Sequence, residues 1–179
     1  MNQTPGMESR ASGLRRAFDL SFALPPSTAS PEVQDHLLIR VAGDRFAISL
    51  REIARIVAEP KVVPVPSAAR DLLGLVGVRG GIVPVFGLAS ILGYSQGSDS
   101  PRWMILCRAE EPIGLAFSEL EGHVRLPKSG VYSDENLRAT HQYLAQVART
   151  DSGVRAVISI SLIVATIRNR SDRQRLGKE

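Results

Sequence analysis

From His36 onward the chain is written in short apolar runs separated by turn signals. Leu37 to Val41 is a run, Gly43-Asp44 a turn signal, and Phe46, Ile48 and Leu50 then alternate with Ala47 and Ser49. Period-two alternation after a tight turn predicts a β-hairpin. The same grammar returns with Trp103 to Cys107 as the run, Glu110-Glu111-Pro112 as the turn, and Ile113, Leu115 and Phe117 as the alternating strand. Without gaps the halves align at an offset of 67, pairing Ala42 with Ala109, Glu52 with Glu119, Val57 with Val124, Pro60 with Pro127 and Lys61 with Lys128. A strand-rich unit of this size is marginal alone, so the repeat predicts two units packed on each other. Short β-branched strands broken by Gly and Pro fit small closed barrels, which leave no exposed edges. Helix is a minority: Asp134 to Val147, with Leu137, His141 and Leu144 on one face, and Leu162 to Arg175 near the C-terminus.

Residues 1–35 read as an appendage, because Pro25, Pro26 and Pro31 among Ser27, Thr28 and Ser30 cannot form regular structure. Before this linker, Leu14, Phe18 and Phe22 recur every fourth residue, which predicts a short helix over 14–23 with one apolar face. Such a face suits docking to a partner, or folding back onto the chain's own domain. Residues 168–179 read as a basic tail.

Composition narrows the function. Hydrophobic residues make up 44% and aromatic ones only 5%, so aliphatic packing must dominate the core. The single cysteine, Cys107, excludes an intramolecular disulfide, and its apolar neighbours predict a buried thiol. No stretch reaches the roughly 20 apolar residues of a membrane span, and no signal-peptide pattern opens the chain, so a cytoplasmic location is expected. The net charge of +4 is uneven: Arg168, Arg170, Arg173, Arg175 and Lys178, against Asp172 and Glu179, give residues 166–179 a net +3. His36, His123, His141 and Cys107 lack metal-ligand spacing, and neither a nucleophile elbow nor a phosphate-binding loop is present. Gly74, Gly77, Gly80 and Gly81 do not form the dinucleotide pattern, and Pro84 would spoil the helix that should follow it. An enzyme, a metal and a cofactor are therefore not expected.

The most distinctive segment runs from Val62 to Leu88, with one arginine among glycines: Gly77-Val78-Arg79-Gly80-Gly81. Gly80 and Gly81 can take positive φ, so Arg79 is expected to project from a tight turn between two apolar strands. A solvated arginine on a hairpin is the plain alternative to a recognition residue.

In this order and spacing the sequence resembles the CheW family of chemotaxis coupling proteins. That family shows a proline-bounded loop, a glycine, an Asn-Leu-Arg-Gly turn and a Pro-Val strand ending in Asp-Leu. Here the likeness is carried by the opening hairpin, Ile53 to Ile56, Pro66, Gly74, Arg79-Gly80, Pro84-Val85, Leu88, the second hairpin, Val124 to Pro127 and Asp151-Ser152-Gly153. It spans about residues 36–167. The resemblance implies a mainly β fold of two five-stranded, SH3-like barrels with one or two short helices. It also implies a non-enzymatic scaffold that joins the cytoplasmic tip of a chemoreceptor to the regulatory domain of a CheA-type histidine kinase, touching the membrane only through receptors. Carried over by position, the receptor-binding residues would be Ile53, Arg55, Ile56, Gly77, Val78, Arg79 and Gly80.

Departures are informative. Gly77 replaces the asparagine of the turn, Arg55 a glutamate, Gly87 an aspartate; Ser118, Gln146 and Ser159 stand near positions usually Asp, Gly and Asp. This reads as a divergent member whose Arg55 inverts the sign of one contact. A free-standing kinase regulatory domain would look similar, since it shares the barrel pair. A nucleic-acid-binding β-barrel, suggested by the pI near 9.7, lacks aromatic platforms among its cations and leaves the barrel region only +2. No nucleic acid is expected as a partner.

Overall fold

The structure is a computed structural model and describes residues 32–67, 69–95 and 101–176. The predicted docking helix with Leu14, Phe18 and Phe22 lies outside them.

The opening hairpin is β1 (Val33–Val41) and β2 (Asp44–Ser49), paired from His36↔Ser49 to Val41↔Asp44. Its two turn residues are Ala42 and Gly43, one position earlier than the Gly43-Asp44 signal suggested, and both have positive φ. That is the two-residue turn whose twist matches antiparallel strands. β1 starts at Val33, so the fold takes in the last three residues of the expected 1–35 extension.

The strands that follow do not stay with this hairpin. β3 (Ile53–Ala58), β4 (Leu72–Val78) and β5 (Gly81–Gly87) join the second hairpin, β6 (Trp103–Cys107) and β7 (Gly114–Phe117), in a five-stranded sheet ordered β3-β6-β7-β5-β4. The first hairpin is completed by β8 (Glu119–Pro127), β9 (Val131–Ser133), β10 (Leu144–Thr150) and β11 (Gly153–Ile158), in a six-stranded sheet ordered β8-β1-β2-β11-β10-β9. Each sheet thus takes its hairpin from one half of the chain and its remaining strands from the other. The two hairpins are used alike: Ala47 of β2 faces Val157 of parallel β11, and its equivalent Gly114 of β7 faces Val85 of parallel β5, although those two valines stand 72 residues apart rather than 67.

Both sheets curl into small barrels. In the second, the chain leaving β3 returns along β4, where Val63 and Leu75 exchange N–H···O bonds of 2.8 and 2.9 Å. Gly74 is required at this crossing, because a Cβ there would stand 2.2 Å from the Val63 carbonyl oxygen. Val76, Val83, Val85, Met104 and Ala116 fill this barrel, and Ala47, Leu126, Ala148 and Val157 fill the other. Ile39, Ile48, Ile105, Leu115 and Ile158 belong to the largest cluster, which spans both sheets. β7 is buried at every position, not only at Leu115 and Phe117, because it is a central strand with one face toward each core.

Among the described residues three α-helices complete the fold: α1 (Leu88–Ile91), α2 (Glu135–Thr140) and α3 (Ile160–Leu176). The helix expected over Asp134–Val147 is only α2. Asp134 caps it by accepting the Leu137 N–H at 3.0 Å, but Leu144 onward pairs with β11 as a strand. In α3, Ile160, Ile163, Val164 and Ile167 recur at i, i+3, i+4 and i+7 and are all buried, so helical spacing gives the helix its seat. Arg168 and Arg170 are part of this helix rather than of a separate tail. Among the described residues no helix is long and apolar enough to cross a membrane.

Candidate partner-binding surface

The β4–β5 hairpin carries the arginine. Val78 pairs with Gly81, leaving Arg79 and Gly80 as a two-residue turn with φ of 49° and 81°. Positive φ therefore falls on Arg79 and Gly80, not on the Gly80-Gly81 pair expected from the sequence. Two-residue hairpin turns demand it at both central positions, and a side chain in that region costs about 1 kcal/mol. Ala42 accepts the same conformation in the other barrel, so the strain belongs to the turn and is not itself a mark of function. Arg79 is exposed and has no ion-pair partner among the described residues.

Around it the hairpin offers unequal faces. Val76 and Val83 point into the barrel and Val78 packs against the same cluster. Directly cross-strand residues share a face, so Gly77 and its partner Ile82 point outward together. Gly77 is bare and open, with nothing within 4 Å of where a Cβ would stand, while Ile82 is 73% exposed. Ile82 is the residue that sequence reasoning missed. The signal was available: counting in twos from the buried Val83 and Val85 leaves Ile82 on the solvent side. Val63, 63% exposed beside β4, was missed as well, because the bridge that places it is not a strand in the sequence pattern.

On β3 the candidates separate. Ile53 is buried in the main core, opposite Cys107. A register shift between Ile53 and Arg55 then brings Ile56, opposite Ile105, to the same face as Ile53. Arg55 pairs with Leu106 and so takes the opposite face. Ile53 anchors the strand, Ile56 is exposed at the sheet edge, and Arg55 is half-buried with no ion-pair partner among the described residues. The three do not make one patch.

Burial, helped by Glu52, pushes the Cys107 thiol up to about 12, away from any reactive thiolate. The Tyr94 hydroxyl, also pushed up to about 12 by burial and by Asp44, donates to that carboxylate at 2.5 Å. Among the described residues no group of three His, Cys, Asp or Glu side chains could hold a metal ion. Five of the 22 Lys and Arg residues are paired in this way: Arg40, Arg45 and Arg155 converge on Glu121, Arg125 pairs with Asp35, and Arg170 with Asp71.

The model of the CheW-like domain matches residues 35–168. The chemotaxis protein CheW of Thermotoga maritima is 26% identical over 94 residues, a match that spans 52% of this chain and 62% of the relative's length. The crystal structure of the scaffolding protein TtCheW from Thermoanaerobacter tengcongensis superposes with a TM-score of 0.65 at 15% identity, over 72% of this chain and 90% of that one. At that identity the superposition speaks for the fold.

Proposed function

The chain belongs to the CheW-like domain family, and from that premise we propose that it is a non-enzymatic adaptor in chemosensory signalling, joining a chemoreceptor's cytoplasmic tip to the regulatory domain of a CheA-type kinase. The observation that carries this reading is the Arg79-Gly80 turn. A guanidinium with no ion-pair partner among the described residues is carried on a two-residue turn, and Ile82 two residues after Gly80 adds an exposed apolar side chain to the same hairpin. Charge beside an apolar anchor on a rigid support is the make-up of a protein-recognition surface. The internal pairing of Arg40, Arg45, Arg125, Arg155 and Arg170 favours a protein partner over nucleic acid, since phosphate binding needs such cations free.

On this reading Arg79, Gly80, Val78 and Gly77 form the receptor-binding turn with Ile82, Ile56 contributes from the edge of β3, and Ile53 acts by seating that strand. Arg55 lies on the other face of β3 and would serve a second contact. Calorimetric titration of the full chain tests the proposal, first with a receptor cytoplasmic fragment and then with the kinase regulatory domain. Binding to both, with all three assembling together, is the expected result; failure to bind either one overturns the adaptor role.

A further inference from the structure

A cleft of about 650 Å³ opens next to the β4–β5 hairpin but away from its turn. Ile82 and Phe86 line it from β5, Ile167 and Arg168 from α3, and Glu110 and Glu111 from the β6–β7 loop. Its chemistry is unusual in one respect. Among the described residues, the Nε and one Nη of Arg168 are buried and have no hydrogen-bond partner. Buried Arg155 shares this lack at its Nε, but its two Nη groups donate to Glu121 and Ser152, and Arg170 pairs with Asp71 at 2.9 Å. A guanidinium stays charged at every accessible pH, and donors withdrawn from water without an acceptor are costly and rare. Glu110 and Glu111 line the same cleft, yet neither comes within 4 Å of Arg168 to form an ion pair.

We infer that this cleft is a docking site for a segment of a partner protein that sets an aliphatic side chain between a carboxylate and a basic residue. The carboxylate is the acceptor that fits a guanidinium fork in two parallel bonds. The aliphatic side chain covers exposed Ile82, with Pro84 and the buried Phe86 following it on the same face of β5. The basic residue faces Glu110 and Glu111. Arg168 as a whole is only half-buried, so a rotamer change of this long side chain brings the fork to an incoming carboxylate. The polarity of the cleft, cationic from α3 and acidic from the loop, also fixes the direction in which such a segment lies. Neither the receptor nor the kinase enters this inference.

The test uses the full chain and two synthetic peptides that share a leucine-centred sequence flanked by Glu and Lys, one of them with Gln in place of Glu. Heteronuclear NMR titration should move amides of β5, α3 and the Glu110–Glu111 loop, with the Glu peptide binding about tenfold tighter than the Gln peptide. Arg168→Met should abolish that preference while keeping residual binding of both. Arg168→Lys, which keeps the charge and loses the fork, should retain only part of it, and Ile82→Ser should weaken both peptides alike. Equal affinities, a preference that survives Arg168→Met, shifts confined to other surfaces, or no binding of either peptide would each overturn the assignment.

Discussion

The carboxylate of Glu52 accepts the backbone N–H of Ser161 at 3.0 Å and that of Ile160 at 3.4 Å, tying the turn before β3 to the start of α3 across more than a hundred residues. Its partner in the repeat, Glu119, does something else and stands 3.5 Å from Arg40. Glu52 meets both free N–H groups and the positive end of the helix dipole. Replacing it with Ala should lower the unfolding free energy by about 1 kcal/mol, with Gln recovering part of the loss. Urea unfolding of the two variants checks this; equal stability of Glu52→Ala and wild type would show that α3 is held by its apolar face alone.

Arg79 should matter for binding and hardly at all for folding. An exposed side chain with no partner can be removed at a cost of less than about 0.5 kcal/mol. Arg79→Ala and Arg79→Glu should therefore melt like wild type but bind the receptor fragment more weakly, the Glu variant more so. A variant that unfolds, or one that binds normally, contradicts the role given to the turn.

Because Arg55 and Ile56 take opposite faces of β3, their variants should part company. Ile56→Asp is expected to weaken receptor binding and leave kinase binding in place. Arg55→Glu restores the sign usual in the family on the opposite face, so it should leave receptor binding in place and change the affinity for the kinase regulatory domain instead, since an inverted contact excludes as well as attracts. Titrating both variants against both proteins reads the pattern, and an Arg55→Glu variant indistinguishable from wild type throughout would make that side chain an ordinary surface charge.

Neither half of the chain should fold alone. Cutting near Ser98 separates the β1–β2 hairpin from β8 and β11, and strands β3 to β5 from the β6–β7 hairpin they need. The isolated N-terminal piece should give no cooperative melt, while mixing the two pieces should recover a folded spectrum. Cooperative unfolding of the N-terminal piece by itself would show that the exchanged strands are dispensable.

Acid should destabilise the protein in two stages. Burial lowers the proton affinity of His36, which is 1% exposed on β1. The unfolded histidine takes up a proton near its ordinary value of about 6.5, where the folded one does not, so stability is full above that pH and falls as pH drops toward the folded value. A second loss follows at lower pH from carboxylates held below their usual range. Asp35 is one, through hydrogen bonds from Arg125 and His123; in Glu121 burial acts the other way, and the hydrogen bonds from Arg40 and Arg155 outweigh it. His36→Leu should flatten the slope of stability between pH 7 and the onset of carboxylate protonation while leaving the second stage. The readout is that slope, from denaturant midpoints across pH; an unchanged slope would place the proton uptake elsewhere.

The parts of this fold that obey a local period were legible in the chain. The first hairpin shows in Phe46 and Ile48, though Leu50 lies past the end of β2, and the last helix in the run from Leu162, which begins two residues inside it. Leu137, His141 and Leu144 also satisfy helical spacing, yet Leu144 is a strand residue, because pairing with β11 outweighs a weak local preference. The exchange of β3 into the other sheet left no local mark, since nothing in Ile53 to Ala58 says which hairpin it will join. The faces of Arg55 and Ile56 were hidden for a related reason: one register shift breaks the count of two on which such readings depend.

The exchange of strands also sets the order in which the protein can be made. When β5 has left the ribosome, five strands exist and no barrel does, because β3, β4 and β5 still await the β6–β7 hairpin. The free edge of β5 remains unpaired until Phe117 has been added, and that of β2 until Ile158 has. Through most of its synthesis the nascent chain therefore displays strands that any passing β-edge could pair with, a window in which chaperone binding is worth more to this protein than its finished stability suggests.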